Sequence, residues 1–212
     1  VESYNGSAWT EIVDVNNAVS GHGVAGDTSN AIKYGGTQAM VSPSHPTKDY
    51  EDHTEVYNGT SWTEVADLNT ARESIIFANT LPYTAGVAIG GSNAPGSVLG
   101  IHEQWNGSAW TETTDLNTAR NTGGGASDGT QTSLIIYGGN NPAPGYLAVN
   151  EFWNGTSWTE VNDLSAGRYG HGHTGASSSN AMAFGNYPSQ SNANTWEHFV
   201  AADFEIKTLT TS

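Results

Sequence analysis

The chain has 212 residues, with 6 Lys and Arg against 21 Asp and Glu and a formal charge of -15; such a field repels phosphate backbones and anionic lipid, so nucleic acid is excluded as a partner. Cysteine is absent, which removes disulfides, thiolate metal sites and a thiol nucleophile and leaves stability to packing alone. The longest apolar runs, around 74–78 and 134–137, are far short of a membrane span, and no basic, apolar leader precedes the first repeat, so no membrane insertion is expected.

From the N-terminus, Val1 opens in mid-repeat, one residue before Glu2-Ser3-Tyr4, and the sequence is expected to be a processed or partial stretch of a longer polypeptide. Asn5 then begins the pattern Asn-Gly-[Ser/Thr]-[Ser/Ala]-Trp-Thr-Glu, which returns at Asn58, Asn106 and Asn154, each time directly after a Glu-x-aromatic triplet. Trp9, Trp62, Trp110 and Trp158 are spaced by 53, 48 and 48 residues, a period that belongs to propellers or arrays of small modules. The repeats fall at about 1–18 (partial), 19–71, 72–119, 120–167 and 168–212, within one domain spanning 1–212.

In the second copy, Thr54-Glu55-Val56-Tyr57 and Ser61-Trp62-Thr63-Glu64-Val65 flank Asn58-Gly59, and this predicts an antiparallel hairpin with positive φ at both turn residues. Asp67-Leu68-Asn69-Thr70-Ala71-Arg72 is a connector, too short and too rich in turn formers for a helix, and leads to a β-like run at 74–77. Past Leu81-Pro82, Gly86-Val87-Ala88-Ile89 ends in Gly90-Gly91, matching Ile32-Lys33-Tyr34-Gly35-Gly36 and Leu134-Ile135-Ile136-Tyr137-Gly138-Gly139; a short apolar strand without alternation is buried on both faces. Each repeat therefore predicts four antiparallel strands: one after the Arg, one ending in Gly-Gly, one Glu-x-aromatic and one bearing Trp. The last copy decays to Gly185-Asn186 and closes on Trp196-Glu197-His198-Phe199 and a final β-like run at 204–209, which suits a terminal cap.

The double glycine, the aromatic one strand later, the spaced Trp and the Arg opening the next strand resemble the kelch motif over essentially the whole chain. That resemblance implies an all-β kelch-like β-propeller with four-stranded antiparallel blades, four complete plus a partial N-terminal hairpin. The wording Trp-Asn-Gly-Thr-Ser-Trp-Thr-Glu-Val followed by Asp-Leu-[Ser/Asn]-x-x-Arg is similar to degenerate kelch-like arrays in virion proteins of marine bacteriophages. The resemblance implies a non-enzymatic structural or recognition propeller, exposed on a virion as a tail fibre, receptor-binding or decoration protein. Its partners would be other virion proteins or a host-surface glycan or receptor, and it would form a homo-oligomer within the assembly, in a virion or extracellular setting. A secreted lectin or adhesin is the alternative, and a polysaccharide hydrolase or lyase a second one.

Arg72, Arg120 and Arg168 are half of all cations and recur at one place in the repeat, although the first copy has Val19 there. A cation inside a sheet requires a partner, so they are expected to pair with Glu55, Glu103 and Glu151 or with Asp67, Asp115 and Asp163. Trp9, Trp62, Trp110 and Trp158, at equivalent positions, are read as packing between modules. His171 and His173 would share a strand face with His22 at the equivalent place, and the Asp-x-Asn connectors offer too few oxygens for calcium; no metal and no cofactor is expected. The Asn-Gly-[Ser/Thr] sites match a glycosylation sequon that the hairpin explains without glycans. Unlike wording is confined to loops at 37–52, 92–100, 140–147 and 187–194, where binding residues concentrate on rigid scaffolds; His45, Tyr50, Tyr146 and Tyr187 are the candidate contacts. His45, Asp49, Tyr50 and Asp52 are the one dense acid, His and Tyr set that an enzyme would use.

Overall fold

Each repeat folds into its own small antiparallel sheet, with strands joined in chain order. The computed structural model describes residues 1–38, 49–78, 80, 82–143, 145–185, 196–200 and 205–209. A hairpin of β1 (Glu2–Tyr4) and β2 (Trp9–Glu11) precedes the first sheet, β3 (Gly23–Gly26), β4 (Ala31–Gln38), β5 (Asp49–Tyr57) and β6 (Trp62–Glu64). The second sheet is β7 (Val87–Ile89), β8 (His102–Trp105) and β9 (Trp110–Glu112). The third is β10 (Gly124–Ser127), β11 (Leu134–Tyr137), β14 (Asn150–Trp153) and β15 (Trp158–Val161), with a side hairpin of β12 (Asn140–Asn141) and β13 (Gly145–Tyr146). The fourth is β16 (Gly172–Ser177), β17 (Asn180–Phe184), β18 (Trp196–Val200) and β19 (Glu205–Leu209). The strand order within a repeat is the one its sequence predicts.

Two local expectations change. The run at 74–77 does not become a strand: the second sheet has three, and only the Ile76–Ile89 and Glu73–Ser92 bridges remain of the fourth. The chain turns back at once, with Thr80 N donating to Ala78 O, and Pro82 precedes a 3-10 turn at Tyr83–Ala85, so the ladder has no length to grow. The Asn-Gly hairpins also differ from the expected two-residue turn. Only the glycines are positive (Gly6, Gly59, Gly107 and Gly155, φ 90 to 95°), while each Asn side chain accepts the amides two and three residues on, as Asn58 Oδ1 does from Thr60 N and Ser61 N at 3.0 Å. The turn is stabilised by an Asx side chain.

Packing lies between successive sheets. Ala25, Ile32 and Tyr34 of the first meet Ala88, Trp105 and Trp110 of the second. Val87 and Ile89 of the second meet Leu134, Ile136, Trp153 and Trp158 of the third, and Ile135 and Tyr137 meet Ala181 and Ala183 of the fourth. Of these second strands β7 and β11 are buried throughout and β4 nearly so, whereas β17 alternates, with Ala181 and Ala183 buried and Asn180 and Phe184 exposed. Their double glycines are needed twice over. Both residues are at positive φ (60° and 103° for Gly90 and Gly91), and a Cβ on Gly90 would lie 2.2 Å from Arg120 O.

Gly21, Ser74, Thr122 and Gly170 occupy one place in the four repeats and all have φ between 52° and 66°. Their backbones join neighbouring sheets: Ile75 N donates to Gly21 O (3.4 Å), Thr122 N to Ser74 O (3.2 Å) and Gly170 N to Thr122 O (3.0 Å). A β-branched residue in this left-handed region is strained. Thr122→Gly is therefore expected to raise the unfolding free energy by about 1 kcal/mol, read as a higher urea midpoint at unchanged slope.

Candidate functional site

The connector after each hairpin clamps one sheet to the next. In the second connector Leu68 is buried in the core, its amide bonded to Asp52 O, and Arg72 donates its own amide to Glu51 O and accepts from Gly36 N. Those backbone bonds hold the first sheet. The side chains reach into the second: Arg72 Nε and Nη2 donate to Gly90 O and Ala88 O, and Nη1 to Glu103. Asn69 donates from N (2.8 Å) and Nδ2 (2.6 Å) to the other oxygen of Glu103, and from Nδ2 to Trp110 O.

The arrangement recurs. Glu151 receives Asn117 N (2.7 Å), Asn117 Nδ2 (2.8 Å), Thr118 N (3.1 Å) and Arg120, and Glu197 receives Ser165 N and Arg168. The expected pairing with repeat carboxylates thus holds for Glu103 and Glu151, with direction added: each Arg reaches the Glu of the following Glu-x-aromatic strand. Two assignments are corrected. Arg168 pairs with Glu197, and Glu55 pairs with Lys33 (3.2 Å), because Val19 stands where the other connectors have Arg. The acid of the Asp-x-Asn connector has its own work, since Asp67 Oδ1 accepts Thr54 N.

Lys33 lies directly across the ladder from Glu55, at the place that Ala88, Ile136 and Ala183 take opposite Glu103, Glu151 and Glu197. The first repeat has moved its cation from connector to strand. Burial works against ionisation of Glu55, but the Asn16 and Asn17 amides and Lys33 hold its pKa below the usual carboxylate value. Lys33→Ala should cost about 2 kcal/mol, the scale of a charged hydrogen bond, and Val19→Arg in that background should recover most of it in urea unfolding.

The repeat tryptophans divide by position. Trp110 and Trp158 are buried and donate their indole N–H to Thr54 Oγ1 (2.9 Å) and Thr114 O (3.1 Å) of the preceding module; Trp62, half-buried, donates to Val13 O. Trp9 makes no such bond among the described residues. It is 66% exposed and touches Tyr4, which corrects the reading of all four as packed.

His171 is buried with neither ring nitrogen bonded, its ring 6.2 Å from that of His173. Burial, helped by His173 and Arg168, pushes its pKa down to about 3, and burial with Arg72 does the same to His102. Their ordinary value is near 6.5, so the unfolded chain binds protons that the folded chain refuses. Stability is complete above pH 6.5 and falls as the pH drops toward 3. His171→Leu should flatten that acid limb while leaving or raising stability at neutral pH, as measured by melting temperature against pH.

The residues that differ among the repeats gather elsewhere. A 250 Å³ cleft is lined by Tyr50, Glu73, Ser92, Asn121, Asn140 and the 94–98 turn, with Pro142 at its side. Glu73 and Asn121 follow the repeat arginines, and Ser92 and Asn140 follow the double glycines; the Glu73–Ser92 and Asn121–Asn140 bridges set them side by side. Of the four candidate contacts, Tyr50 lines this cleft, although it sits in β5 rather than in a loop. Tyr146 lies apart, stacked on Tyr169 with ring centroids 4.7 Å apart. His45 and Tyr187 lie outside the described residues. Glu73, Asn121 and Asn140 went unread in the sequence; the signal for them is change of residue type at a position flanking an unchanging one.

Asp49, Tyr50 and Asp52 of the dense acid and Tyr set all fall on β5, while their fourth member, His45, is not described. A bulge opposite Tyr34–Gly36 instead brings Glu51, Asp52 and His53 together, with ligand atoms within 4.8 Å of one another. His53 Nδ1 lies 2.6 Å from Glu51 Oε2, and that contact overrides burial to raise the pKa of the imidazole. Among the described residues this is the one group of three or more such side chains. Neither a family model nor a curated protein matches the chain.

Proposed function

We propose that the chain is a non-enzymatic recognition and display module, a β-propeller of kelch-like blades that binds a host-surface glycan through the cleft around Asn121 and is carried as an exposed component of a bacteriophage particle. One observation carries this reading. The residues that the repeats share are consumed in clamps between sheets, whereas Tyr50, Glu73, Ser92, Asn121 and Asn140, which differ among the repeats, line one cleft. A radial arrangement of the sheets is supported by the backbone bonds that join Gly21 to Ile75, Ser74 to Thr122 and Thr122 to Gly170.

The lining favours a neutral, hydroxylated ligand. Tyr50 offers an aromatic ring, Asn121 and Asn140 offer amides, Ser92 and Ser97 offer hydroxyls, and the chain's formal charge of -15 disfavours anions. In this reading the body does mechanical work: it holds a fixed surface at the outside of an assembly, with other virion proteins as its neighbours and several copies together.

A glycan array followed by titration of the best neutral sugar tests the recognition role. Binding that is lost in Asn121→Ala and Tyr50→Ala, with melting unchanged, is the expected result. Binding confined to sialylated or sulfated sugars would contradict the proposed ligand, and turnover of any polysaccharide would contradict the non-enzymatic reading. Finding the protein by mass spectrometry in purified phage particles separates a virion component from a secreted adhesin.

A further inference from the structure

We propose that the first hairpin is a strand-acceptor site: the free edge of β1 and the groove beside it take one extended apolar strand ending in Gly-Gly, supplied from outside these 212 residues. The strands equivalent to β1 are β5, β8, β14 and β18, and each is hydrogen-bonded on both sides. Among the described residues β1 pairs with β2 alone, so its outer amides and carbonyls are open to another strand.

The side chains agree with the backbone. A 380 Å³ groove runs between Tyr4 and Trp9 of the hairpin and Ala31, Tyr57 and Trp62 of the first sheet. Tyr4 is 48% exposed, whereas Trp105 and Trp153 at the same place in complete repeats are 0% and 2% exposed. Trp105 clusters with Ile32, Tyr34 and Ala88, and Trp153 with Val87, Ile89, Leu134 and Ile136, all of them on apolar second strands, and the second strands of the four described sheets are already paired on both sides or bridged within their own sheets. Among its described residues a second copy of the chain has none to spare, which points to a segment from outside.

Register and charge follow from the complete repeats. Ala31 faces Tyr57 and Lys33 faces Glu55, so the incoming strand sets a small residue against Tyr4 and, two residues on, the partner of Glu2. Burying the Glu2 carboxylate requires a cation. A strand with lysine at that place carries its own, as β4 does for Glu55.

The test adds the synthetic heptapeptide Asn-Ala-Ile-Lys-Tyr-Gly-Gly, copied from residues 30–36, to the intact protein. Expected are slowed hydrogen exchange at the β1 amides and a blue shift in tryptophan emission that disappears in Trp9→Phe. A peptide with alanine for lysine should bind roughly tenfold more weakly, and Glu2→Gln should erase that difference. A scrambled peptide binding equally well, or no protection of β1 at millimolar peptide, would overturn the proposal. So would protection of β1 that rises with protein concentration without peptide, since the occupant would then be a second copy.

Discussion

Replacing Glu151 with alanine is expected to lower the unfolding free energy by about 4 kcal/mol, within the range for breaking a buried charge pair. The carboxylate is fully buried and receives the Asn117 and Thr118 amides, the Asn117 side chain and the Arg120 guanidinium. Burial already lowers the Arg120 pKa, and Glu151 is the foremost group opposing that shift. Without it, a buried cation keeps only carbonyl partners, Thr118 O, Gly138 O and Val149 O, and two backbone amides lose their acceptor. Urea unfolding of Glu151→Ala beside Glu160→Ala, the cross-strand neighbour of Glu151 on the exposed stretch of β15, makes the comparison internal. A loss below about 1 kcal/mol, the scale of an exposed ion pair, would mean that the clamp adds little.

Trp110→Ala should cost a similar amount, about 4 kcal/mol, as large-to-small core changes do. The indole is 6% exposed, packs edge-on against Tyr34 with centroids 4.7 Å apart, and bonds Thr54 Oγ1. Its removal opens a cavity between the first two sheets and leaves Thr54 without its indole donor. Trp9→Ala, at the same place in its hairpin, should change stability by less than about 0.5 kcal/mol. Thermal and urea unfolding of both variants check the contrast; equal losses would show that position in the repeat, and not contact with a preceding module, decides the role of the residue.

The fold was legible wherever a local pattern implies a local structure. Period near 50, double glycine and the Glu-x-aromatic triplet each dictate one strand or turn, and chain order did the rest. The clamp was legible only in part. Arg120 lies 17 residues after Glu103 and 31 before Glu151, and repetition makes the two carboxylates equivalent in sequence; only the direction in which one sheet is laid on the next separates them. No motif marks the role of Lys33, which rests on its place opposite Glu55 together with the valine at 19. The run at 74–77 misled for a different reason: Ile75, Ile76 and Phe77 have strand composition, yet the Thr80 N to Ala78 O bond ends the ladder just past them. The cleft was the least legible, since Glu73, Asn121 and Asn140 are distant in sequence and share no motif, and loop irregularity located the region while naming only Tyr50 of its lining.

Amide hydrogen exchange across the connectors tests the central claim most directly, because the claim assigns their stability to the neighbouring sheet. Asn16, Asn69, Asn117 and Ser165 donate their amides to Glu55, Glu103, Glu151 and Glu197, and these amides should exchange as slowly as those of β7 and β11 although they lie outside any strand. Exchange at the rate of the exposed Asn-Gly turns would contradict the account.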